Sequence, residues 1–349
     1  MYKLFDYTQL EKRQWDKEIL NYIGLIHEFK GRQQLYLSQK PGELDKLIEL
    51  AKCQSTEASN EIEGIVTTNQ RLIQLMEEKT TPKNRNEKEI KGYRYALNLV
   101  HENFEYIPIR PNFILQLHKE MYQFLDVRFG GNFKDTRNEI DTVYPDGRKE
   151  VIFKPLEPYE TPEAIERICN EYNNLISRGT VDPLVVIPVF IHDFLCIHPF
   201  NDGNGRMSRL LTTLLLYKSG YVVGRYISLE KKIQITKDDY YDALSQSSKG
   251  WHESEHDDTP FVKYLLGTIV AAYRDFEERV NLVGTPLSAK EMVIKAVNQK
   301  LGRFTKSEIM ELCPEIGRGS VESALKVLCE EGVIEKYGGG RSTFYVRLR

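Results

Sequence analysis

The sequence predicts a mainly α-helical protein, with one β-hairpin near its middle and a small helix-and-strand unit at its C-terminus. Three observations carry this reading. Apolar residues recur every three or four positions through most of the chain, the period of a helix face. A Pro145-Asp146-Gly147 turn stands between Ile140 to Tyr144 and Glu150 to Phe153, which is a hairpin signal. Near the end, two capping-box spacings precede a triple-glycine turn between short apolar runs.

The elements follow in order. Leu10, Trp15, Ile19, Tyr22, Ile23 and Ile26 share one side of a helix within 8–29. Leu44, Leu47, Ile48, Ala51, Ser55, Ala58, Ile62 and Ile65 predict a continuous helix from about 43 to 63, stopped by Gly64. Ile90, Tyr93, Leu97 and Val100 mark another helix. Phe113, Leu117, Met121 and Phe124 mark the next, opened by Pro111. Gly130-Gly131 closes this region, and the hairpin follows. Helices resume at about 161–178, 182–197, 204–219, 238–247 and 259–282, and 283–286 (Val-Gly-Thr-Pro) reads as a linker. Beyond it, Ser288 with Glu291 and Thr305 with Glu308 open two helices, and Ser320 to Glu331 forms a third. Val333, Ile334, the glycine turn 338–340, Phe344 and Val346 then predict a two-stranded wing. This order resembles a winged-helix domain.

A chain of 349 residues has room for two or three domains, and 41% hydrophobic with 28% charged residues is ordinary for a water-soluble globular protein. No apolar run is long enough to span a bilayer, and the charged start lacks a signal-peptide apolar segment. Cys53, Cys169, Cys196, Cys313 and Cys329 are odd in number, without metal-type spacing. The expectation is reduced core thiols in a cytoplasmic protein without a membrane partner. The net charge of −3 conceals an asymmetry: residues 286–349 hold 11 Lys+Arg against 8 Asp+Glu.

The densest chemistry lies in residues 198–209, HPFNDGNGRMSR, between two apolar helical stretches. Gly203 and Gly205 permit backbone shapes closed to other residues and let a phosphate approach the amides. A helix starting near Asn204 turns its free N–H groups and positive dipole end toward an anion. Arg206 and Arg209 share a face of its first turns, and two guanidinium groups suit a polyphosphate. Asp202 supplies an oxygen ligand for Mg²⁺ shared with phosphate oxygens. His198, held by Pro199, is placed to take a proton from a hydroxyl.

This run resembles the Fic family signature HxFx(D/E)GNGRxxR at every defined position. The resemblance extends over about residues 40–270, with Ile191 to Phe194 before the motif and Leu210-Leu211 after it. It implies a Fic-type helical fold with a β-hairpin flap, and transfer of AMP from ATP to a Ser, Thr or Tyr hydroxyl of a protein, the chain itself included. Together with the linker and the winged-helix order of elements, it divides the chain into an N-terminal helical region at 1–105, a catalytic core at 106–282 with a flap at about 138–154, and a winged-helix domain at 287–349. By resemblance, His198 is the base and Asp202 holds Mg²⁺. Gly203, Asn204 and Gly205 bind the α- and β-phosphates, Arg206 contacts the β-phosphate, and Arg209 contacts the γ-phosphate. Phe200 anchors the loop. Tyr240 and Tyr241 match the tyrosine pair around adenine and ribose. Where the family commonly has asparagine, this chain has Ser248, so that contact departs from the pattern. Val151, Ile152 and Phe153 match the flap edge that aligns a target by strand addition.

Residues 59–64, Ser-Asn-Glu-Ile-Glu-Gly, resemble the family's inhibitory pattern (S/T)xxxE(G/N). Glu63 sits at a helix C-terminus, where a carboxylate opposes the macrodipole at a cost of about 0.3–1 kcal/mol. An opposite charge offsets this, and Arg209 is the partner the resemblance implies. Ser59, one turn earlier on the same face, steadies Glu63. The expectation is a transferase that restrains itself.

Two other classes stay open. One keeps the fold with another donor, in UMP transfer or in phosphoryl transfer as in the Doc branch; the GNGR core argues against Doc, whose motif carries lysine for the second glycine. The other is a DNA-binding regulator, with Arg318, Lys326, Arg341, Arg347 and Arg349 as candidate phosphate contacts. Glu322, Glu330 and Glu331 near the recognition helix leave a protein partner for 287–349 equally open, and a homodimer is a candidate assembly.

Overall fold

The computed structural model describes residues 3–348 except 40, 144–148, 284–287, 299, 301 and 315. The Pro145-Asp146-Gly147 turn, linker residues 284–286 and Arg349 therefore lie outside the described residues, as does the Arg341 side chain. The chain is mostly helical with small sheets. After a 3₁₀ turn at Tyr7–Glu11 come α1 (Lys17–Gln39), α2 (Pro41–Ile62), α3 (Asn69–Met76), α4 (Arg85–Asn103) and α5 (Pro111–Met121). The strands β1 (Ile140–Val143) and β2 (Lys149–Phe153) precede α6 (Thr161–Arg178), α7 (Pro183–Ile197), α8 (Asn204–Lys218), α9 (Leu229–Ile235), α10 (Lys237–Ser247) and α11 (Thr259–Val283). The last elements are α12 (Ala289–Asn298), β3 (Arg303–Phe304), α13 (Lys306–Leu312), α14 (Arg318–Glu330), β4 (Ile334–Tyr337) and β5 (Phe344–Arg347).

Local departures from the sequence reading have local causes. The helix expected within 8–29 divides, because Asp16 Oδ1 accepts from the N–H groups of Glu18 and Ile19 and opens α1 there. Two short helices went unforeseen, α3 capped by Thr68 and α9 capped by Ser228. Each has fewer than nine residues, too short for a periodic pattern to stand out.

Two compact units are distinguished, residues 1–28 with 51–272 and residues 29–50 with 273–349. In the first, α6 packs on α7, α7 on α8, α8 on α4 and α4 on α5. Along α7 every residue from Leu184 to Ile197 is buried except Leu195, and along α8 every residue from Arg206 to Tyr217. Helices covered on all sides form the centre of such a unit. The loop carrying HPFNDG thus joins its two most buried helices. Pro183 and the Asp182 cap, which accepts from Leu184 N at 2.9 Å, start α7. The β1–β2 hairpin is antiparallel, pairing Ile140 with Phe153 and Asp141 with Val151, with an irregularity between Ile140 and Asp141.

In the second unit, α12, α13 and α14 enclose Val293, Val297, Ile309, Val321, Leu325 and Leu328, with Phe304 and Ile334 from the strands. The capping box at Thr305 and Glu308 is formed. The wing has three strands in the order β3-β5-β4, one more than the sequence suggested. The added strand is only Arg303–Phe304, paired with Val346 and Tyr345. Among the described residues, no helix is long and apolar enough to cross a membrane. All five cysteines are free thiols.

Candidate active site

The loop between α7 and α8 is held by buried polar groups. Asn204 clasps it at two points: Oδ1 accepts from Phe200 N at 2.9 Å and Nδ2 donates to Phe200 O at 2.7 Å. The fully buried Phe200 ring stacks on His118 at 3.7 Å and 3°. His118 Nδ1 accepts from Gly131 N at 3.0 Å, so Nε2 carries the proton and donates to Asp202 O, also at 3.0 Å. Burial holds this imidazole neutral, with its pKa pushed down to about 4. From the other side, Lys134 Nζ donates to Ile197 O at 3.0 Å and to Asn138 Oδ1 at 2.9 Å. Asn138 Nδ2 donates to the carbonyls of His198 and Phe200 at 3.3 and 3.1 Å. None of His118, Lys134 and Asn138 was singled out from the sequence, since nothing local marks a buried histidine or lysine as a support.

Gly203 has φ +83°, and a Cβ there would lie 2.7 Å from Met121 Cε and 2.8 Å from Tyr122 Oη. It precedes α8 without a side-chain cap, so the first N–H groups of that helix keep no side-chain acceptor. Such a terminus suits a phosphate.

His198 ends α7 in the left-handed region, at φ 52° and ψ 62°. Its Nδ1 lies 3.3 Å from Leu195 O, which only accepts, so this nitrogen carries the proton and Nε2 keeps its lone pair. The surrounding protein, with Lys134 adding to the effect, pushes the imidazole pKa down to about 4.

The two arginines have different surroundings. Arg206 is buried, with Nη1 2.8 Å from Glu89 Oε2 and Nη2 donating to Tyr122 Oη at 2.7 Å. Glu89 also accepts from Arg85 Nε at 2.7 Å, and Arg85 Nη2 reaches Asp202 Oδ2 at 3.3 Å. Arg85 and Glu89 are two further residues the sequence did not single out. An i,i+4 pair of opposite charge ordinarily marks only a solvated helix face. Arg209 is equally buried and faces α2. Its Nε donates to Ser59 Oγ at 2.8 Å, and its Nη2 donates to Ser59 O at 2.8 Å and Glu63 Oε1 at 2.7 Å. Burial opposes the guanidinium charge, but Glu63 outweighs it and holds the arginine protonated. A Cβ on Gly205 would collide with Glu63 Oε1, so the bare glycine makes room for the carboxylate.

The last turn of α2 is closed by Gly64 at φ +75° and by Lys237 Nζ, which donates to Ile62 O at 2.8 Å. Tyr240 is buried and Tyr241 is 42% exposed, their rings 5.3 Å apart. Ser248 is engaged elsewhere: Oγ donates to Leu244 O at 2.8 Å and lies 3.2 Å from His192 Nε2. His192 Nδ1 in turn is 2.8 Å from Asp258 Oδ1. The hydroxyl proton of Ser248 is therefore spent within the core. On β2, Val151 and Ile152 are exposed, and Phe153 packs on Trp251 and stacks on His252.

The sequence pattern of the Fic/DOC family matches residues 108–216. A Fido domain-containing protein of Dictyostelium discoideum is 29% identical over 146 residues, which are 41% of this chain and 95% of that protein. The protein adenylyltransferase fic-1 of Caenorhabditis elegans is 28% identical over 188 residues, 54% of this chain; the match spans only 31% of that relative's length. A solved Fic family protein from Desulfovibrio desulfuricans has a TM-score of 0.61 at 20% identity, over 96% of this chain and 97% of that one, a likeness of fold.

Proposed function

Since residues 108–216 are a domain of the Fic/DOC family, we propose that this protein is an adenylyltransferase that moves AMP from ATP to a protein hydroxyl and restrains itself through Glu63. The observation that carries the proposal is the position of Arg209. It is buried beside the phosphate-binding helix start, and its Nη2 is occupied at 2.7 Å by a carboxylate from α2.

His198 takes the proton of the target hydroxyl at Nε2. The freed oxygen attacks the α-phosphorus, the bond to the β-phosphate oxygen breaks, and pyrophosphate leaves. An imidazole with a pKa near 4 is neutral at physiological pH. The negative triphosphate beside it raises that value and strengthens the base. The N–H groups at the start of α8 bind the phosphates, Arg206 meets the β-phosphate and Arg209 the γ-phosphate. Tyr240 and Tyr241 flank the nucleoside. The half-exposed Asp202 carboxylate fits a magnesium ion, which takes one or two carboxylates together with substrate phosphates. When bound, such an ion neutralises phosphate charge. Asp202 would hold it, with its backbone fixed by His118. Val151 and Ile152 on the exposed edge of β2 offer backbone groups to an extended target segment.

While Glu63 holds Arg209, the γ-phosphate lacks its partner and ATP binds weakly or unproductively. Labelled-ATP transfer tests this on the protein itself and on cell lysate. Glu63→Gly is expected to raise transfer at least about tenfold, the worth of one charged contact. His198→Ala in that background should abolish it. Equal transfer by Glu63→Gly and the wild type would remove the brake. Label carried from the γ- rather than the α-phosphate would replace adenylylation with phosphorylation.

The proposed division keeps residues 287–349 as a separate winged-helix domain. The cations of α13 and α14 favour a protein partner over duplex DNA on that face. Lys306 and Arg318 both pair with Glu322, and Lys326 lies 3.8 Å from Glu330. A face whose positive charges are already met by carboxylates has little left for phosphates.

A further inference from the structure

We propose that Arg85 is a tethered stand-in for the metal cation at Asp202, and that it sets how tightly the site takes a divalent ion. The inference rests on the reading of Asp202 as the carboxylate that holds magnesium.

Both oxygens of Asp202 face cations of the chain itself. Oδ2 lies 3.3 Å from Arg85 Nη2, and Oδ1 lies 3.8 Å from Arg206 Nη2. The two arginines differ in freedom. The Arg206 side chain is 1% exposed and clamped between Glu89 and Tyr122. The Arg85 side chain is 64% exposed and tied back through its Nε to Glu89. Glu89, itself buried, thus holds one fixed and one swinging guanidinium, and two arginines balance two carboxylates.

Arg85 is also the first residue of α4, beside the positive end of the helix dipole. A cation is disfavoured there, so its pairing with Asp202 and Glu89 needs a local reason. Holding the Asp202 carboxylate before a metal arrives supplies one. A divalent ion at Asp202 brings two positive charges against the guanidinium, which repels it and competes with it for the same carboxylate. Arg85 has solvent to swing into, and Arg206 does not. The proposed resting site is then neutralised from both sides by its own chain, with Glu63 on Arg209 in place of a phosphate and Arg85 on Asp202 in place of the metal. Arg85 is accordingly a positioning residue that competes with the ion.

The test is calorimetric binding of α,β-methylene-ATP to the full chain in the Glu63→Gly background, in EDTA and across a magnesium titration. Arg85→Gln should leave binding in EDTA within about twofold of its parent. It should lower the magnesium concentration for half effect by roughly two- to fivefold, the scale of an exposed charge pair. Arg85→Lys, which keeps the charge, should stay near the parent. Unchanged or weaker magnesium dependence in Arg85→Gln overturns the proposal. So does lost binding in EDTA, which would make Arg85 a phosphate contact. Asp202→Asn separates the two levels: if it keeps full magnesium dependence, the reading of Asp202 as metal ligand fails, whatever Arg85 does.

Discussion

Gly205 lies at the tightest point of the site. A methyl group there meets Glu63 Oε1, the far end of a side chain that can move. In the wild type, Gly205→Ala should therefore push Glu63 off Arg209 and cost stability, even though alanine favours a helix over glycine by about 1 kcal/mol. In the Glu63→Gly background that collision disappears, leaving only a tight contact with Arg209 Nη1 at 3.3 Å, and the same substitution should be close to neutral. The expected coupling in a denaturant double-mutant cycle is about 1–2 kcal/mol. Additive effects would mean that the carboxylate does not occupy this position in solution. Gly205 and Arg209 could be read directly from HPFNDGNGRMSR, and Glu63 from residues 59–64 through the family resemblance. Arg85 and Glu89 could not, because an exposed arginine four residues from a glutamate looks the same whether or not a third charge stands opposite.

At the scale of elements, the loop between α7 and α8 depends on supports outside it. Asn204 is a support within the motif itself, and its side chain meets both the N–H and the C=O of Phe200. Asn204→Ala strips both and leaves Phe200 N unpaired, while Phe200 O keeps its bond from Asn138 Nδ2, at a cost of about 1–3 kcal/mol in urea unfolding. Asn204→Asp should recover less than half, since it accepts from Phe200 N but presents a second oxygen to Phe200 O. A loss within about 0.5 kcal/mol for the alanine variant would show that water replaces the clasp. The helices that flank this loop were legible because α7 is apolar except for His192 and Asp193 and α8 opens at a glycine. The short α9 and β3 were not, since seven residues and two residues carry too few periods to read.

Over the whole molecule, buried neutral histidines set the response to acid. Burial pushes His101 down to about 3 and His118 and His198 to about 4, against 6.5 for the exposed group. In each the unfolded chain binds protons that the folded one refuses. The stability they contribute is complete above pH 6.5 and is lost as the pH falls from there toward 4. His192 runs the other way: burial opposes its charge, but Cys196 and Asp258 raise its pKa. Its contribution is complete below pH 6.5 and fades as pH rises, so between pH 7 and pH 5 it offsets only a small part of the acid loss. Thermal unfolding at pH 5 should thus fall below that at pH 7, on the order of 5 °C. His118→Gln should reduce the difference. A midpoint unchanged between the two pH values would mean these histidines reach water in the folded protein.

By itself the sequence determined what is local. Helix periods, the Thr305 capping box, the glycine after Glu63 and the packed chemistry of residues 198–209 all lie within a few turns of chain, where spacing and side-chain type decide the outcome. The tertiary structure alone decided which distant charges meet. Glu63 reaches Arg209 across 146 positions, Arg85 reaches Asp202 across 117, and His118 reaches the Asp202 carbonyl across 84. The family resemblance suggested the first of these, and no spacing suggested the other two. Each helix fixes only its own apolar face. Which polar residues then face one another depends on how α2, α4, α5 and α8 pack, and packing is settled by the buried surface of the whole unit rather than by any one segment.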